Sequence, residues 1–316
     1  MTLLLADAAS LYVRAYFGVP SSIRSPDGVP VNAVRGYLDM TATLLTRLRT
    51  QRYAACLDID WRPEFRVAAV PGYKAHRLRP DGREDLPDEL QAQVPVLLDI
   101  LAALGLAVIG APGFEADDVA ATAARQAAES GEDVLVATGD RDLFALIDEA
   151  GPGRGAVRVV WTGRGVAKAT VVDAAEVRQR YGVPPHAYAD MAALRGDPSD
   201  GLPGVPRVGE KTAAALIARF GSVEGLLRAL DAGTTEGFPA GARTAVSQSR
   251  DYLEAALTVV RPVTTVPLPP YDDRIPSGPL APDRLAELAA RWGLESSVDR
   301  MREAMRSCSP PGGPEV

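Results

Sequence analysis

Short apolar runs alternate with stretches of helical periodicity through the first half of the chain. The apolar runs predict strands at residues 3–6, 53–57, 106–109, 134–137 and 157–161. Between them, residues 33–49, 88–104 and 116–129 carry apolar side chains at helical spacing, with few internal glycines or prolines. Strands that alternate with helices are typical of βαβ units. The fold is therefore predicted to be α/β, with a mainly parallel sheet and flanking helices.

The pattern changes after Gly165, where strand-like runs fade. Helical segments at residues 174–181, 187–194, 211–220 and 252–260 follow one another through short Gly/Pro turns. This predicts an α/β domain over residues 1–165, a helical domain over 166–290, and a C-terminal helix with a disordered, Pro/Gly-rich tail over 291–316. Residues 62–87 fit neither pattern, and irregular segments of this length are commonly functional or disordered.

Composition narrows the classes of protein. The 316 residues are 47% hydrophobic, which is enough to build substantial cores. The two cysteines, Cys56 and Cys308, cannot make a disulfide framework and have no partners at zinc-site spacing. The apolar run at residues 3–6 is too short to cross a bilayer and has no basic leader. We expect a cytoplasmic protein that does not contact a membrane.

The candidate chemistry lies in acidic residues that follow the predicted strands. Asp7 and Asp58 each come directly after a strand or its last apolar residue, and Asp140 and Asp142 follow the strand at 134–137 after a Thr-Gly pair. A fourth group, formed by Glu115, Asp117 and Asp118, lies where the helix at 116–129 begins. Because the carboxyl ends of parallel strands share one edge of a sheet, these side chains are expected to converge.

So many carboxylates at one edge would repel one another unless cations were bound among them. Oxygen-only ligands without nearby His or Cys favour Mg²⁺, with Mn²⁺ as the alternative, over zinc. Two such ions roughly 4 Å apart can activate water and stabilise a leaving oxygen, which predicts phosphodiester hydrolysis.

The net charge of −7 at first argues against a nucleic-acid partner. Bound cations would neutralise the nine acidic residues of the motifs, however, so the overall charge does not exclude a nucleic-acid partner.

Each motif has a simpler interpretation when taken alone. The sequence at 115–118 is a common start of a helix, where acidic side chains cap free amides. The sequence at 138–143 also suits a turn and a helix cap. Four acidic groups placed after four strands are much harder to explain as isolated caps.

A glycine-rich segment at residues 196–213 carries a second signature. Its Gly-Val-Pro-Arg-Val-Gly-Glu-Lys core resembles the turn of a helix-hairpin-helix, in which backbone amides approach phosphate oxygens. The simpler alternative is an ordinary turn between helices. Asp197 and Asp200, just upstream, add two possible metal ligands.

Together these motifs resemble the 5′-nuclease family of flap endonucleases, phage 5′-exonucleases and the N-terminal domain of bacterial DNA polymerase I. The similarity covers roughly residues 3–260, with the motifs in the family's order. The matching stretches are 5–7, 30–33 with Gly36, Asp58, 65–66, 73–77, 115–118, 138–143 and 196–212. The resemblance implies a PIN-like nuclease core and, because no polymerase follows, a free-standing bacterial 5′–3′ exonuclease.

The resemblance also implies roles for individual residues. Asp7, Asp58, Glu115 and Asp117 would serve a first metal site, with Asp118 beside it, and Asp140, Asp142, Asp197 and Asp200 would serve a second. Lys74 and Arg77 would contact the scissile phosphate, Tyr73 would stack on a base, and Arg66 would contact DNA. Gly201, where the family usually has Asn, is a departure that could loosen the second-site loop.

The same resemblance implies how substrate is held. Residues 74–98 would form a helical arch that admits a free 5′ end. A helix-hairpin-helix at about 196–220 would grip duplex DNA through Gly204, Gly209, Lys211 and Thr212, with K⁺ possible there. The implied partners are DNA with a 5′ flap or free 5′ end and a functional link to a DNA polymerase, with the chain as a monomer.

The predicted function is a structure-specific 5′-nuclease of replication and repair. Two alternatives stay open at this point. One is a PIN-type ribonuclease, which would share the carboxylate edge but lack the hairpin module. The other is a DNA-structure-binding protein with weak or lost nuclease activity.

Overall fold

The computed structural model describes residues 1–308, so the predicted disordered tail lies outside the described residues. The strands are β1 (Thr2–Asp7), β2 (Arg52–Cys56), β3 (Ala107–Ile109), β4 (Asp133–Thr138), β5 (Val157–Trp161) and β6 (Thr170–Val172). They form one sheet in the order β3-β2-β1-β4-β5-β6, in which only β6 is antiparallel to its neighbour. The five predicted strands and the mainly parallel sheet are confirmed.

The α-helices of the described residues are α1 (Ala8–Gly18), α2 (Asn32–Leu48), α3 (Glu64–Ala69), α4 (Asp88–Gln91), α5 (Gln93–Leu104), α6 (Ala116–Glu129), α7 (Ala174–Tyr181), α8 (Tyr188–Arg195), α9 (Glu210–Phe220), α10 (Val223–Asp231), α11 (Ala242–Gln248), α12 (Arg250–Val260), α13 (Pro282–Trp292) and α14 (Glu295–Cys308). None of these helices is long and apolar enough to cross a membrane.

Two hydrophobic cores lie on opposite faces of the sheet. In β1, Leu3 and Leu5 belong to one core while Leu4 and Ala6 belong to the other, as the alternation of side chains along a strand requires. The first core extends through α6 into the helical domain. The second is covered by α1, α2 and α5, and by the C-terminal helices. A strand buried on both faces explains why the sequence of β1 is continuously apolar.

The C-terminal part of the chain returns to the sheet domain. The amide of Ile275 donates to the carbonyl of Gln51 at 3.0 Å, and that of Ala281 donates to the carbonyl of Ala103 at 3.0 Å. Helix α14 then packs along α2, and α13 packs on α5. Residues 275–308 therefore cover the face opposite the helical domain.

Two local features differ from the expected pattern. Strand β6 was not predicted, since its three residues form a short edge strand after the strand pattern has faded. In the segment expected to form a helical arch, residues 78–87 are not α-helical, and regular helix begins at Asp88. Pro80, Gly82 and Pro87 explain this, because proline removes a backbone donor and Gly82 adopts a φ of 81°.

Candidate active site

The carboxyl end of the sheet opens into a cavity of about 1100 Å³. Seven of the nine predicted metal ligands line it, together with both predicted phosphate contacts. These lining residues are Asp7, Asp58, Glu115, Asp117, Asp140, Asp142 and Asp197, with Lys74 and Arg77. The convergence expected from the strand ends is present, although the role of each residue stays a prediction.

Asp7 is fixed at the centre of this edge by its position at the end of β1. One carboxylate oxygen accepts from the amide of Ser10 at 3.0 Å and caps α1, and the other accepts from the Thr138 hydroxyl at 2.7 Å. Asp58 accepts from the amide of Ala116 at 2.7 Å, at the start of α6. Strand ends and helix starts thus hold carboxylates of distant sequence side by side.

Burial of these acids favours their neutral forms. Burial, reinforced by Asp58 and Asp140, raises the pKa of Asp7 to about 7 despite its hydrogen bonds. Burial likewise raises the pKa of Asp117 well above its ordinary value, and Asp7 and Asp140 add to the shift. The pKa of Asp142 is raised in the same direction by burial, then by Asp140 and Asp197. A cation among these groups would remove the cost of ionising them.

The donor chemistry fits a hard divalent cation. The predicted ligands that line the cavity supply carboxylate oxygens from five separate parts of the chain, and hard cations prefer such ligands. Within residues 1–308, no three His, Cys, Asp or Glu side chains are grouped closely enough to enclose one ion. The carboxylates instead accept hydrogen bonds from protein donors, as Asp7 and Asp58 do. Binding an ion would require side-chain adjustment.

Glu115 and Asp118 are tied into a buried ionic network around Arg66. The Arg66 guanidinium pairs with Glu115 and donates to Asp118 at 2.7 Å, while Lys74 and the Tyr73 hydroxyl also donate to Glu115. Asp118 additionally accepts from the amide of Val263 at 2.8 Å and is fully buried. Asp118 does not line the cavity, so its contacts fit a structural anchor better than the metal site beside which it was predicted.

The predicted DNA contacts of Arg66 and Tyr73 stay predictions, and both side chains have protein partners in this structure. Both side chains are only 3% exposed, and their polar groups are occupied by the network around Glu115. The resemblance to the 5′-nuclease family assigned them to DNA. Their partners Glu115 and Asp118 lie more than forty positions away in the chain, so the local pattern did not reveal the pairing.

Lys74 and Arg77 lie at the cavity wall nearest to Asp200. The amide of Lys74 donates to the Asp200 carbonyl at 3.0 Å, and Arg77 approaches the Asp200 carboxylate at 3.3 Å. Burial alone would lower the pKa of Lys74, but Glu115 and Asp200 raise it above its usual value. Lys74 is therefore a cation at neutral pH, as a phosphate contact requires. Asp200 touches this wall without lining the main cavity.

The glycine-rich hairpin leads directly into α9. Gly204 adopts a φ of 71°, and an added Cβ would lie 2.5 Å from the Arg195 carbonyl, so this position needs glycine. Its amide donates to the Tyr252 hydroxyl at 3.0 Å and is thus occupied within the protein. Gly209 and Lys211, in contrast, are exposed at the start of α9, and Thr212 is half-buried. The surface available to a phosphate is the end of the hairpin.

Arg14 is a cavity residue that the sequence reasoning missed. It lies one helical turn after Ser10 on α1, and both side chains line the cavity. Arg14 has no ion pair with a described carboxylate, and its buried Nε has no hydrogen-bond partner. Arg14 lies two helical turns after the cap residue Asp7, and this spacing could have placed it at the sheet edge. An isolated arginine in an apolar helix, however, belongs to no recognisable motif.

A parallel sheet with a carboxylate-lined edge, joined to a helical domain with a glycine hairpin, defines a nuclease class. The chain belongs to the 5′-3′ exonuclease family. Residues 2–182 match the model of the 5′-3′ exonuclease N-terminal resolvase-like domain, and residues 183–280 match that of the C-terminal SAM fold. The predicted family and the two-part fold class are confirmed. The proposed boundary at residue 165 stays a prediction.

Similar proteins include two 5′-3′ exonucleases. One from Mycobacterium tuberculosis is 50% identical, covering 96% of this chain and 97% of the relative. One from Streptomyces coelicolor is 48% identical, covering 94% and 98%. The DNA polymerase I of Mycobacterium tuberculosis is 42% identical over 73% of this chain but only 24% of the polymerase. The chain thus resembles one part of the polymerase.

Solved structures support the fold. The phage T5 5′-exonuclease with bound zinc ions has a TM-score of 0.64 at 16% identity, covering 96% of this chain and 98% of that chain. The catalytic core of Rad2 in complex with DNA substrate has a TM-score of 0.54 at 14% identity, covering 96% and 92%. The architecture is shared over nearly the whole chain at low sequence identity.

Proposed function

We propose that the protein is a structure-specific 5′-nuclease that acts as a 5′–3′ exonuclease and a flap endonuclease on DNA. The observation that carries the proposal is the cavity at the sheet edge, where seven of the predicted carboxylate ligands converge beside Lys74 and Arg77. Family membership supports the reaction, and the DNA complexes of fold relatives support the substrate. Replication and repair are the processes in which such ends arise.

Two Mg²⁺ ions are the proposed cofactors, with Mn²⁺ as a substitute. Asp7, Asp58, Asp117 and Glu115 would hold one ion, and Asp140, Asp142, Asp197 and Asp200 would hold the other. When bound, the ions would supply a nucleophilic water at neutral pH and would stabilise negative charge on the phosphate and leaving oxygen. Divalent ions bound to the T5 relatives support metal dependence, while the choice of Mg²⁺ rests on the oxygen-only ligand set.

Protein side chains orient the scissile phosphate. The Lys74 ammonium is held at the cavity wall by Glu115 and Asp200, and Arg77 is held by the Ser199 carbonyl at 2.6 Å. Cations fixed in this way stabilise charge that develops on the phosphate without reorganising in the transition state. Because Glu115 pairs with Lys74, its use as a metal ligand would compete with that ion pair.

The hairpin at the start of α9 is the proposed grip on duplex DNA. Gly209 and Lys211 present an exposed helix end that suits a backbone phosphate, and K⁺ is a possible additional ligand of the turn. Such contacts recognise the backbone without reading sequence. We further propose that the protein acts as a monomer, close to the nucleoid and in functional association with a DNA polymerase.

The decisive experiment is cleavage of a 5′-labelled flap DNA in EDTA, Mg²⁺ or Mn²⁺. The proposal requires cleavage near the flap junction with either metal and none in EDTA. Single-stranded RNA of the same sequence is the comparison substrate. Preference for that RNA would favour a PIN-type ribonuclease, and tight flap binding without cleavage in any metal would favour a DNA-structure-binding protein.

A further inference from the structure

Two arginines approach one tryptophan at the catalytic edge of the sheet. The Arg164 guanidinium carbon lies 5.9 Å from the Trp161 ring centre, and that of Arg180 lies 5.5 Å from it. Arg180 also lies 5.3 Å from the Tyr181 ring. Both arginines are exposed, and neither forms an ion pair with a carboxylate of residues 1–308. The aromatic rings thus hold both guanidinium groups in place, while no carboxylate of the described residues neutralises their positive charge.

The position of Trp161 places this pair close to the active site. Trp161 is the last residue of β5 and pairs with Thr138, the last residue of β4, two positions before Asp140. Adjacent strands are about 4.8 Å apart, so the indole begins one strand away from the carboxylate edge. Gly163 lies against the indole, and an added Cβ would come within 2.3 Å of it. The glycine therefore allows the loop that carries Arg164 to fold over the ring.

The same surface reaches the hairpin. Arg180 is in the last turn of α7, whose C-cap is Gly182. A Cβ added at Gly182 would lie 3.8 Å from the Ala214 side chain of α9, one turn after the exposed Lys211. The arginine pair and the start of α9 are consequently neighbours on one side of the molecule.

We propose that Arg164 and Arg180 form a second phosphate-binding site, which extends the hairpin's grip on the same duplex arm toward the sheet. This inference rests on the proposed function. A guanidinium that stacks on an indole loses less freedom on binding, and one without an acidic partner loses no ion pair when a phosphate arrives. The contact involves the DNA backbone and is independent of base sequence.

The chain provides a matched control in α13. The Arg291 guanidinium lies 5.2 Å from the Trp292 ring and has no carboxylate partner within residues 1–308. It resembles the proposed site in its local chemistry, but α13 packs against α5 and α14 rather than against the hairpin helices. A general effect of removing a stacked arginine should therefore appear equally in Arg291→Ala.

The test is a titration of blunt duplex DNA in EDTA at several salt concentrations. The double variant Arg164→Ala/Arg180→Ala should bind about tenfold more weakly and lose about two units of salt slope, one for each phosphate contact. Arg164→Lys/Arg180→Lys should retain most of the slope. Arg291→Ala should have the affinity and salt slope of the wild type. Lys211→Ala should bind duplex DNA more weakly, because it removes a contact of the hairpin.

Unchanged affinity and slope in the double alanine variant, alongside weaker binding by Lys211→Ala, would overturn the inference and leave the proposed function standing. Failure of the wild type to bind duplex or to cut flap DNA in Mg²⁺ would instead remove the proposed function. Thermal melting checks the fold of each variant. Should the alanine pair melt early, Arg164→Gln/Arg180→Gln keeps side-chain length and polarity and receives the same titration.

Discussion

The Thr138 hydroxyl donates a 2.7 Å hydrogen bond to Asp7 and accepts one of 2.9 Å from the amide of Asp140. Thr138 is fully buried at the end of β4. One side chain thus joins a carboxylate proposed for the first metal site to the backbone of one proposed for the second. We therefore expect Thr138 to help fix the distance between the two proposed sites.

We predict that Thr138→Val lowers the cleavage rate in Mg²⁺ and raises the Mg²⁺ concentration needed for half-maximal rate. Removing a partner that orients a ligand typically costs about 10–100-fold in metal affinity or activity. Thr138→Ser, which keeps the hydroxyl, is the control and should remain close to wild type. Single-turnover rates across a Mg²⁺ titration measure the effect. Equal metal dependence in the two variants would show that the hydroxyl does not orient Asp7.

The helical domain depends on a different buried carboxylate. Asp190 is only 2% exposed and accepts from Arg261 at 2.7 Å and from the amide of Val223 at 2.9 Å, which joins α8, α10 and the end of α12. Removing Arg261 leaves Asp190 with a single strong donor. We predict that Arg261→Ala lowers the free energy of unfolding by about 3 kcal/mol, because an uncompensated buried charge is costly.

The control for this prediction is Arg284→Ala. Arg284 pairs with Glu287 at 2.9 Å on the surface, where both side chains are largely exposed. Exposed pairs contribute about 0–1 kcal/mol, so this variant should be nearly neutral. Urea denaturation of both variants gives the comparison. Similarly small decreases in the free energy of unfolding of the two variants would mean that water solvates the Asp190 carboxylate well once Arg261 is removed.

The raised pKa of Asp7 predicts a pH dependence of stability in EDTA. Between the ordinary value of 3.8 and the folded value of about 7, the folded protein binds more protons at this group than the unfolded chain does. Stability from Asp7 is therefore greatest at low pH and is lost as pH rises through about 7. Melting temperatures in EDTA should fall over this range, and less so in Asp7→Asn.

Adding Mg²⁺ should reverse this dependence. An ion that binds ionised Asp7 stabilises the folded state more as the carboxylates lose protons. The increase in melting temperature on adding Mg²⁺ should thus be larger at pH 8 than at pH 5. An increase that is equal at both values would indicate that binding does not involve carboxylates that titrate in this range.

The sequence predicted the sheet edge because its signals are local. A short apolar run and the aspartate that follows it suffice to place Asp7, Asp58 and Asp140 at the ends of parallel strands. The roles of Arg66 and Asp118 were not predictable in the same way. Asp118 is anchored by Val263, which lies 145 positions further along the chain, and only the return of the chain after α12 brings them together.

Arg164 and Arg180 illustrate the same limit. Each is an ordinary surface arginine in its own segment, and the indole that both approach lies at the end of another element. Strand β6, which closes the loop carrying Arg164, was missed because three residues at a sheet edge give little alternation. Tertiary contacts between short elements produce no periodic pattern in the sequence, so sequence periodicity cannot predict them.

Asp140 and Asp142 allow chemistry and DNA affinity to be separated. Their side chains line the same cavity, and the amide of Asp142 donates to Asp140 at 2.9 Å, a contact that an asparagine oxygen can still accept. Asp140→Asn/Asp142→Asn therefore removes two negative charges with little change in shape. We predict that single-turnover cleavage in Mg²⁺ is abolished, since the proposed second ion loses two ligands.

The same double variant should bind flap DNA in EDTA as tightly as the wild type, or more tightly. Two carboxylates beside the phosphate repel it when no cation is bound, and the hairpin contacts at Lys211 are untouched. A binding titration in EDTA and a cleavage assay in Mg²⁺, at one salt concentration and on a folded variant, test both parts. Near-normal cleavage would refute the metal assignment. Weaker binding in EDTA would show that these aspartates support DNA binding directly, which repulsion alone does not allow.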